Sequence, residues 1–325
     1  MKKINWQFLC LFSATFFLNA ASYAQASYPN KPIRLLVAFA AGGGTDVMAR
    51  NLAQQMTKAL GQNVVVENRI GANGIVATTE LFRANPDGYT LIYTIPSHIT
   101  NALLYTNLPY DPVADFTPIY ALCTVPFVLS ATPAFPASNV KELVALAATQ
   151  PAGAINYASP GTGSPPHFYQ EMMNDILGIK MTHVPYKGSA LAMSDLLSGR
   201  TQLIFLSTVQ SQPYLKDGRL KGIGLSSAKR SSVLPDIPTL NELGVTGLDV
   251  DMWYGVLAPK GVPAAVVAKL SGALRQITES DEMKRYLAEQ GAEVLSLGPE
   301  QFEGILRTEA KKWGKLIKDA NIKAE

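Results

Sequence analysis

An apolar run from Ile33 to Phe39 passes through Gly42-Gly43-Gly44 into Thr45-Asp46 and a helical pattern. A strand that turns through glycine into a helix start leaves backbone N–H groups unpaired at the positive end of the helix dipole. Such a turn attracts an anion without any Lys or Arg. Thr45 and Asp46 are good N-cap residues for the helix. Alone, the stretch reads equally well as an ordinary strand–helix turn. A second turn of the same kind, Ser159-Pro160-Gly161-Thr162-Gly163-Ser164, makes it a pattern.

Strand and helix signals alternate along the rest of the chain, the mark of an α/β architecture. The helix after Asp46 extends to Leu60, with Val47, Leu52, Met56 and Leu60 among its apolar positions and Gly61 as its stop. Asn63–Glu67 and Tyr89–Thr94 read as further strands, separated by Gly71-Ala72-Asn73-Gly74 and a helix to about Asn85. From Pro96 to Ser138 prolines dominate around one strand-like run, Ile119–Ser130. Ile155–Ala158, Met181–Val184, Leu203–Leu206 and Gly222–Leu225 then read as a second sheet, with helices at Val140–Ala148, Pro166–Leu177 and Ala190–Leu197. Trp253–Leu257 returns to the first part, followed by helices Ala264–Thr278, Glu282–Gln290 and Glu300–Asp319. Crossings near Leu122–Val125 and Val250–Trp253 give a hinge of two strands. The expected architecture is a clamshell of two domains, each a mostly parallel sheet flanked by helices. Residues 27–124 with 252–325 form one domain and residues 125–251 the other.

Residues 1–26 read as an export signal. Lys2 and Lys3 are basic, Phe8–Leu18 is apolar but too short to span a bilayer comfortably, and cleavage follows Ala24 or Ala26. The exported protein is expected in the periplasm. Cys123 is then the only cysteine left, so no disulfide forms within the chain. Losing Lys2 and Lys3 takes the formal charge from +3 to +1, no footprint for nucleic acid or an anionic membrane. Any preference for anions must be local.

Enzyme motifs are largely missing: no G-x-S-x-G, no H-E-x-x-H, and no lysine after a glycine loop. His98, His167 and His183 lack metal-ligand spacing, and each reads as a polar side chain satisfied by a neighbour. Cys123 reads as a small buried hydrophobe. Ser164 with His167 is the one pair a secreted hydrolase of α/β type would use, but adjacent placement on a helix start is poor triad geometry. What remains is backbone. Two helix N-termini facing each other across a cleft suit one carboxylate, and charge-assisted bonds are the stronger kind.

The chain resembles the periplasmic receptors of tripartite tricarboxylate transporters, often called Bug proteins. The likeness rests on a collinear series of motifs: Phe39-Ala40-Ala41-Gly42-Gly43-Gly44-Thr45-Asp46, Asn68-Arg69-Ile70-Gly71-Ala72-Asn73-Gly74, Pro86-Asp87-Gly88-Tyr89 and Leu108-Pro109-Tyr110-Asp111-Pro112. Ser159 to His167, Val184-Pro185-Tyr186-Lys187-Gly188 and Leu234-Pro235-Asp236-Ile237-Pro238-Thr239 complete it. The resemblance implies a clamshell that closes over a small organic carboxylate, without cofactor or metal, acting as a monomer with the transporter's membrane components as partners. A receptor of this fold that signals to a membrane sensor kinase is the open alternative.

The same resemblance implies two jaws that hold one carboxyl group through backbone amides and bridging waters. The first is Phe39, Ala41, Gly42, Gly43, Thr45 and Asp46. The second is Ser159, Gly161, Thr162, Gly163 and Ser164 with His167. His98 and Asn101 fall on a His-x-x-Asn loop that reaches toward the cleft. Relatives often have proline at Ala38, Ala40 and Gly44, so the first jaw is expected to be looser here. Leu206 and Ser207 stand where polar-ligand relatives place acidic or amide pairs, which implies a less polar distal pocket with Ser207 at its wall. Gly163 is expected to approach the ligand with φ > 0, so that a side chain there blocks binding and spares the fold.

Overall fold

The computed structural model describes residues 28–105, 107–248, 250–319 and 322, and the expected export signal lies outside them. The first part of the chain runs β1 (Ile33–Val37), α1 (Gly44–Leu60), β2 (Val64–Asn68), α2 (Ile75–Phe82), β3 (Thr90–Thr94), α3 (Ser97–Leu104) and β4 (Phe116–Val125). The second begins with β5 (Phe127–Ala131), α4 (Val140–Ala148), β6 (Asn156–Ser159) and α5 (Pro165–Leu177). It continues through β7 (Thr182–Pro185), α6 (Ser189–Leu197), β8 (Leu203–Ser207), α7 (Thr208–Lys216) and β9 (Lys221–Leu225). The chain returns through β10 (Met252–Pro259), α8 (Ala264–Glu279), α9 (Asp281–Glu289), β11 (Glu293–Leu297) and α10 (Pro299–Asp319).

Two sheets result, one with the order β11-β4-β10-β3-β1-β2 and one with the order β7-β6-β8-β5-β9. β1 is parallel to β2 and β3, and β6 is parallel to β7 and β8. The expectation of mostly parallel sheets needs correcting, because every strand-to-strand pairing of β4, β5, β9, β10 and β11 is antiparallel. Direction of entry explains this. β5 and β10 enter their sheets from the seam between the domains, so they run against neighbours that end there. Central strands β3 and β10 are buried along their whole length, as strands covered on both faces are.

The run Ile119–Ser130 is two strands and not one. Pro126 divides it: it has no N–H to give the ladder at the point where the chain changes sheets, and β4 closes in the first sheet while β5 opens in the second. The returning crossing lies alongside, with Met252 paired to Val125 and the Phe127 N–H donating to Ser226 Oγ at 2.9 Å. The strands that end at this seam deliver the starts of α1, α3, α5, α6 and α7 to it. In α1 the buried stripe is Met48, Leu52, Ala53, Met56 and Leu60, whereas Val47 is 45% exposed, against its expected place. Among the described residues no helix is long and apolar enough to cross a membrane.

Candidate functional site

The first jaw opens α1, and its cap differs from the expected one. Gly43 holds the N-cap position without a side-chain bond, and Thr45 and Asp46 lie inside the first turn. Val47 N–H reaches Gly43 O at 3.0 Å, and among the described residues the amides of Gly44, Thr45 and Asp46 have no acceptor. Those three donors sit behind Ala40–Gly43, which are exposed. Asp46 is occupied elsewhere. Its carboxylate accepts from Gly42 N–H at 2.9 Å, Arg50 Nε at 2.8 Å and Asn68 Nδ2 at 2.8 Å. Burial pushes this carboxyl up, but Arg50, the Gly42 amide and Asn68 outweigh it and hold it below the usual range. Asp46 therefore shapes the loop, with Gly42 at φ 80°. Asn68 also donates to Phe39 O at 2.8 Å, and Thr45 is bonded to the buried Tyr254 hydroxyl.

The second jaw satisfies most of its own donors. Gly161 N–H donates to Ser159 Oγ at 3.2 Å, Gly163 N–H to His167 Nδ1 at 3.2 Å, and Ser164 N–H to Gly161 O at 3.1 Å. Pro165 and Pro166 open α5 and have no N–H to offer. Thr162 is what remains: its amide has no acceptor among the described residues, and its hydroxyl oxygen is buried without a partner. The two jaws are therefore unequal, a first with three open amides and a second with one amide and one hydroxyl.

α3, which sequence reading took for irregular chain, joins them. Thr100 Oγ1 donates to Gly163 O at 3.2 Å from the other domain. Asn101 lies on this helix and not on a loop. It donates to Asn73 O at 2.9 Å and accepts from Asn73 Nδ2 at 3.2 Å. Asn73 adopts φ 51°, a left-handed conformation that Asn tolerates where a relative's glycine would be free. A Cβ on Gly74 would stand 3.1 Å from Ala38, and one on Gly163 within 4.0 Å of both Asn73 and Asn101. The Asn73–Asn101 pair thus lies between the two turns. Thr100 and Leu104 escaped sequence reading; Pro96-Ser97 as a helix start was the available signal.

His98 does not join them. Its Nε2–H donates to Pro112 O at 2.7 Å and its ring packs on Phe116, deep in the first domain. Burial lowers it to about 4. The Ser207 hydroxyl caps α7 by accepting from Gln210 N–H at 3.4 Å. Ser164 Oγ donates to Gly161 O at 2.6 Å and His167 Nδ1 accepts from Gly163, so the two form no nucleophile–base pair. No cluster among the described residues could hold a metal ion. An open depression of about 410 Å³ beside Lys31, Arg34 and Arg83 lies at the opposite end of β1. Lys31 and Arg34 there are already paired, with Asp87 and with Glu67 and Glu80.

Comparison with known proteins matches residues 48–322 to the tripartite tricarboxylate transporter family receptor. Among solved structures, the periplasmic binding protein BugD is 37% identical, with a TM-score of 0.82 over 92% of this chain and 100% of its own. An R. palustris protein with adipate is 34% identical, with a TM-score of 0.84 over 91% and 99%. MatC from Rhodopseudomonas palustris with bound malate is 31% identical, with a TM-score of 0.80 over 89% and 100%. The order of strands and jaws and the reach of these matches agree: the chain belongs to the tripartite tricarboxylate transporter receptor family, whose members are solute-binding proteins and not enzymes.

Proposed function

We propose that this chain is a periplasmic receptor that holds a small organic carboxylate between its two domains and passes it to the membrane components of a tripartite tricarboxylate transporter. The observation that carries the reading is the group of acceptor-free amides of Gly44, Thr45 and Asp46 at a helix start that follows the exposed Ala40–Gly43. A carboxylate there accepts several N–H bonds and meets the positive helix end. Thr162 adds one open amide and one unpartnered hydroxyl from the second turn. A second domain of residues 125–251 supports this reading, since it leaves one jaw to each domain. Solved relatives holding adipate and malate support a dicarboxylate of that size.

Calorimetry with adipate, malate and their amides tests the reading. The acids should bind and the amides should not, because an uncharged group leaves donors poorly satisfied at a cost of ~1–3 kcal/mol each. A thermal-shift screen of other carboxylates finds the ligand, since ~100 times the dissociation constant adds ~2.7 kcal/mol to the folded state. Equal binding of acid and amide contradicts the anion site. Delivery is tested by deleting the gene and measuring uptake of the identified acid, which should fall.

A further inference from the structure

His183, on β7, has no place in the function so far, yet it stands behind the second jaw. Its ring lies 4.0 Å from that of His167 at an interplanar angle of 9°, and 5.0 Å from Tyr157 at 19°. Tyr157 is anchored in turn by donating its hydroxyl to Glu171. Three elements, β6, β7 and α5, therefore contribute one ring each to a stack, with Tyr157 and His167 buried and His183 half-buried.

The stack ends on the jaw at two points. A hydroxyl has one proton to give and two lone pairs to receive. Ser159 Oγ gives its proton to Gly161 O at 3.0 Å and receives Gly161 N–H at 3.2 Å. The remaining lone pair faces His183 Nε2 at 2.6 Å, so that nitrogen carries the proton. His167 acts directly, its bare Nδ1 receiving Gly163 N–H. Burial, and after it the neighbouring His183, lowers His167 to about 3, so the bare nitrogen persists at ordinary pH.

We propose that His183 and His167 are positioning residues that clamp the second jaw, His183 acting through Ser159 on Gly161 and His167 acting on Gly163. The clamp fixes both glycines before a ligand arrives, which leaves Thr162 between them as the jaw's open donor and lowers the ordering cost of binding. The proposal rests on the reading of this turn as a ligand jaw.

His183→Phe keeps a flat ring in the stack and removes the donor to Ser159. In the ligand-free protein, amide exchange at Gly161 should rise roughly tenfold while Gly163 is unchanged, the scale of one lost bond. His183→Gln, which keeps a donor, should restore Gly161 in part. Affinity for adipate or malate should fall roughly fivefold in the Phe variant if the wild type binds either. Histidine ¹⁵N spectra of the wild type should show Nδ1 of His167 bare from pH 5 to 8. Gly161 exchange within twofold of wild type, or equal loosening at Gly163, overturns the clamp. If His183→Phe does not fold, Ser159→Ala cuts the same link with the same expected split. Should neither dicarboxylate bind the wild type, the exchange data still decide the clamp, and only the reading of the ligand fails.

Discussion

Gly163 and Leu104 meet across the seam between the domains: a Cβ on the glycine would stand 2.6 Å from Leu104 Cδ1. A side chain there was expected to enter the ligand's space and spare the fold. The structure directs it into the first domain instead, and Gly163 is itself buried.

Gly163→Val should therefore lower stability as well as binding. Its φ of 81° lies in the left-handed region, at a cost of ~1–2 kcal/mol for a residue with a Cβ. The Cβ adds a clash with Leu104, about 1–3 kcal/mol more for an overpacked contact. Urea denaturation separates the two when Leu104→Ala is added, since that change relieves the contact and leaves the backbone cost. Leu104→Ala should recover part of the cost of both Gly163→Ala and Gly163→Val and none of their shared backbone cost. Strict additivity in that cycle means that Leu104 is not the obstacle.

Asp46 carries the next expectation. Asp46→Asn keeps the shape but weakens charge-assisted bonds from the Gly42 amide, Arg50 and Asn68. The loss should be ~1–3 kcal/mol, felt at neutral pH. Asp46 is held below its ordinary range, so its contribution is present above that range and lost as pH falls through the folded value. Acid unfolding of the Asn variant below about pH 4 should be correspondingly shallower than wild type. A variant with unchanged neutral stability removes Asp46 from the account of the loop.

How far the sequence carried this reading varies by element. Strands β1, β3 and β8 were legible because apolar runs ending at glycine or a polar turn have few other solutions. The glycine turns of both jaws were legible for the same reason, and so was the collinear motif series. Four features were not. Pro126 hid a change of sheet inside one apolar run, since nothing local distinguishes a strand that bends from one that changes partners. α3 hid behind Pro96, and α7 carries Pro213 inside it. β11 is half-exposed and short, so it has no apolar period to read. At the site, the family resemblance implied Asp46 and Ser207 as ligand-binding residues but could not show that their oxygens were already engaged by Gly42, Arg50 and Gln210.

Stability against pH should report the buried histidines and Glu309 with opposite signs. His98 and His167 are lowered to about 4 and about 3, in both cases chiefly by burial. The unfolded chain takes up protons near pH 6.5 and the folded chain does not, so stability is full above that value and falls as pH drops toward 4. Each histidine contributes a slope of roughly 1.4 kcal/mol per pH unit in that window. Glu309, beside Trp313 and Trp253 where α10 packs on α5, is raised by burial. Its contribution is full below the ordinary glutamate value and lost as pH rises through the folded one, so it partly cancels the histidines on acidification. Glu309→Gln removes that compensation. Urea titrations from pH 7 to 5 should show a steeper decline in the Gln variant than in wild type, and a shallower one in His98→Gln. If the Glu309→Gln decline is the shallower instead, Glu309 is ionised in the fold and the sign assigned to it is wrong.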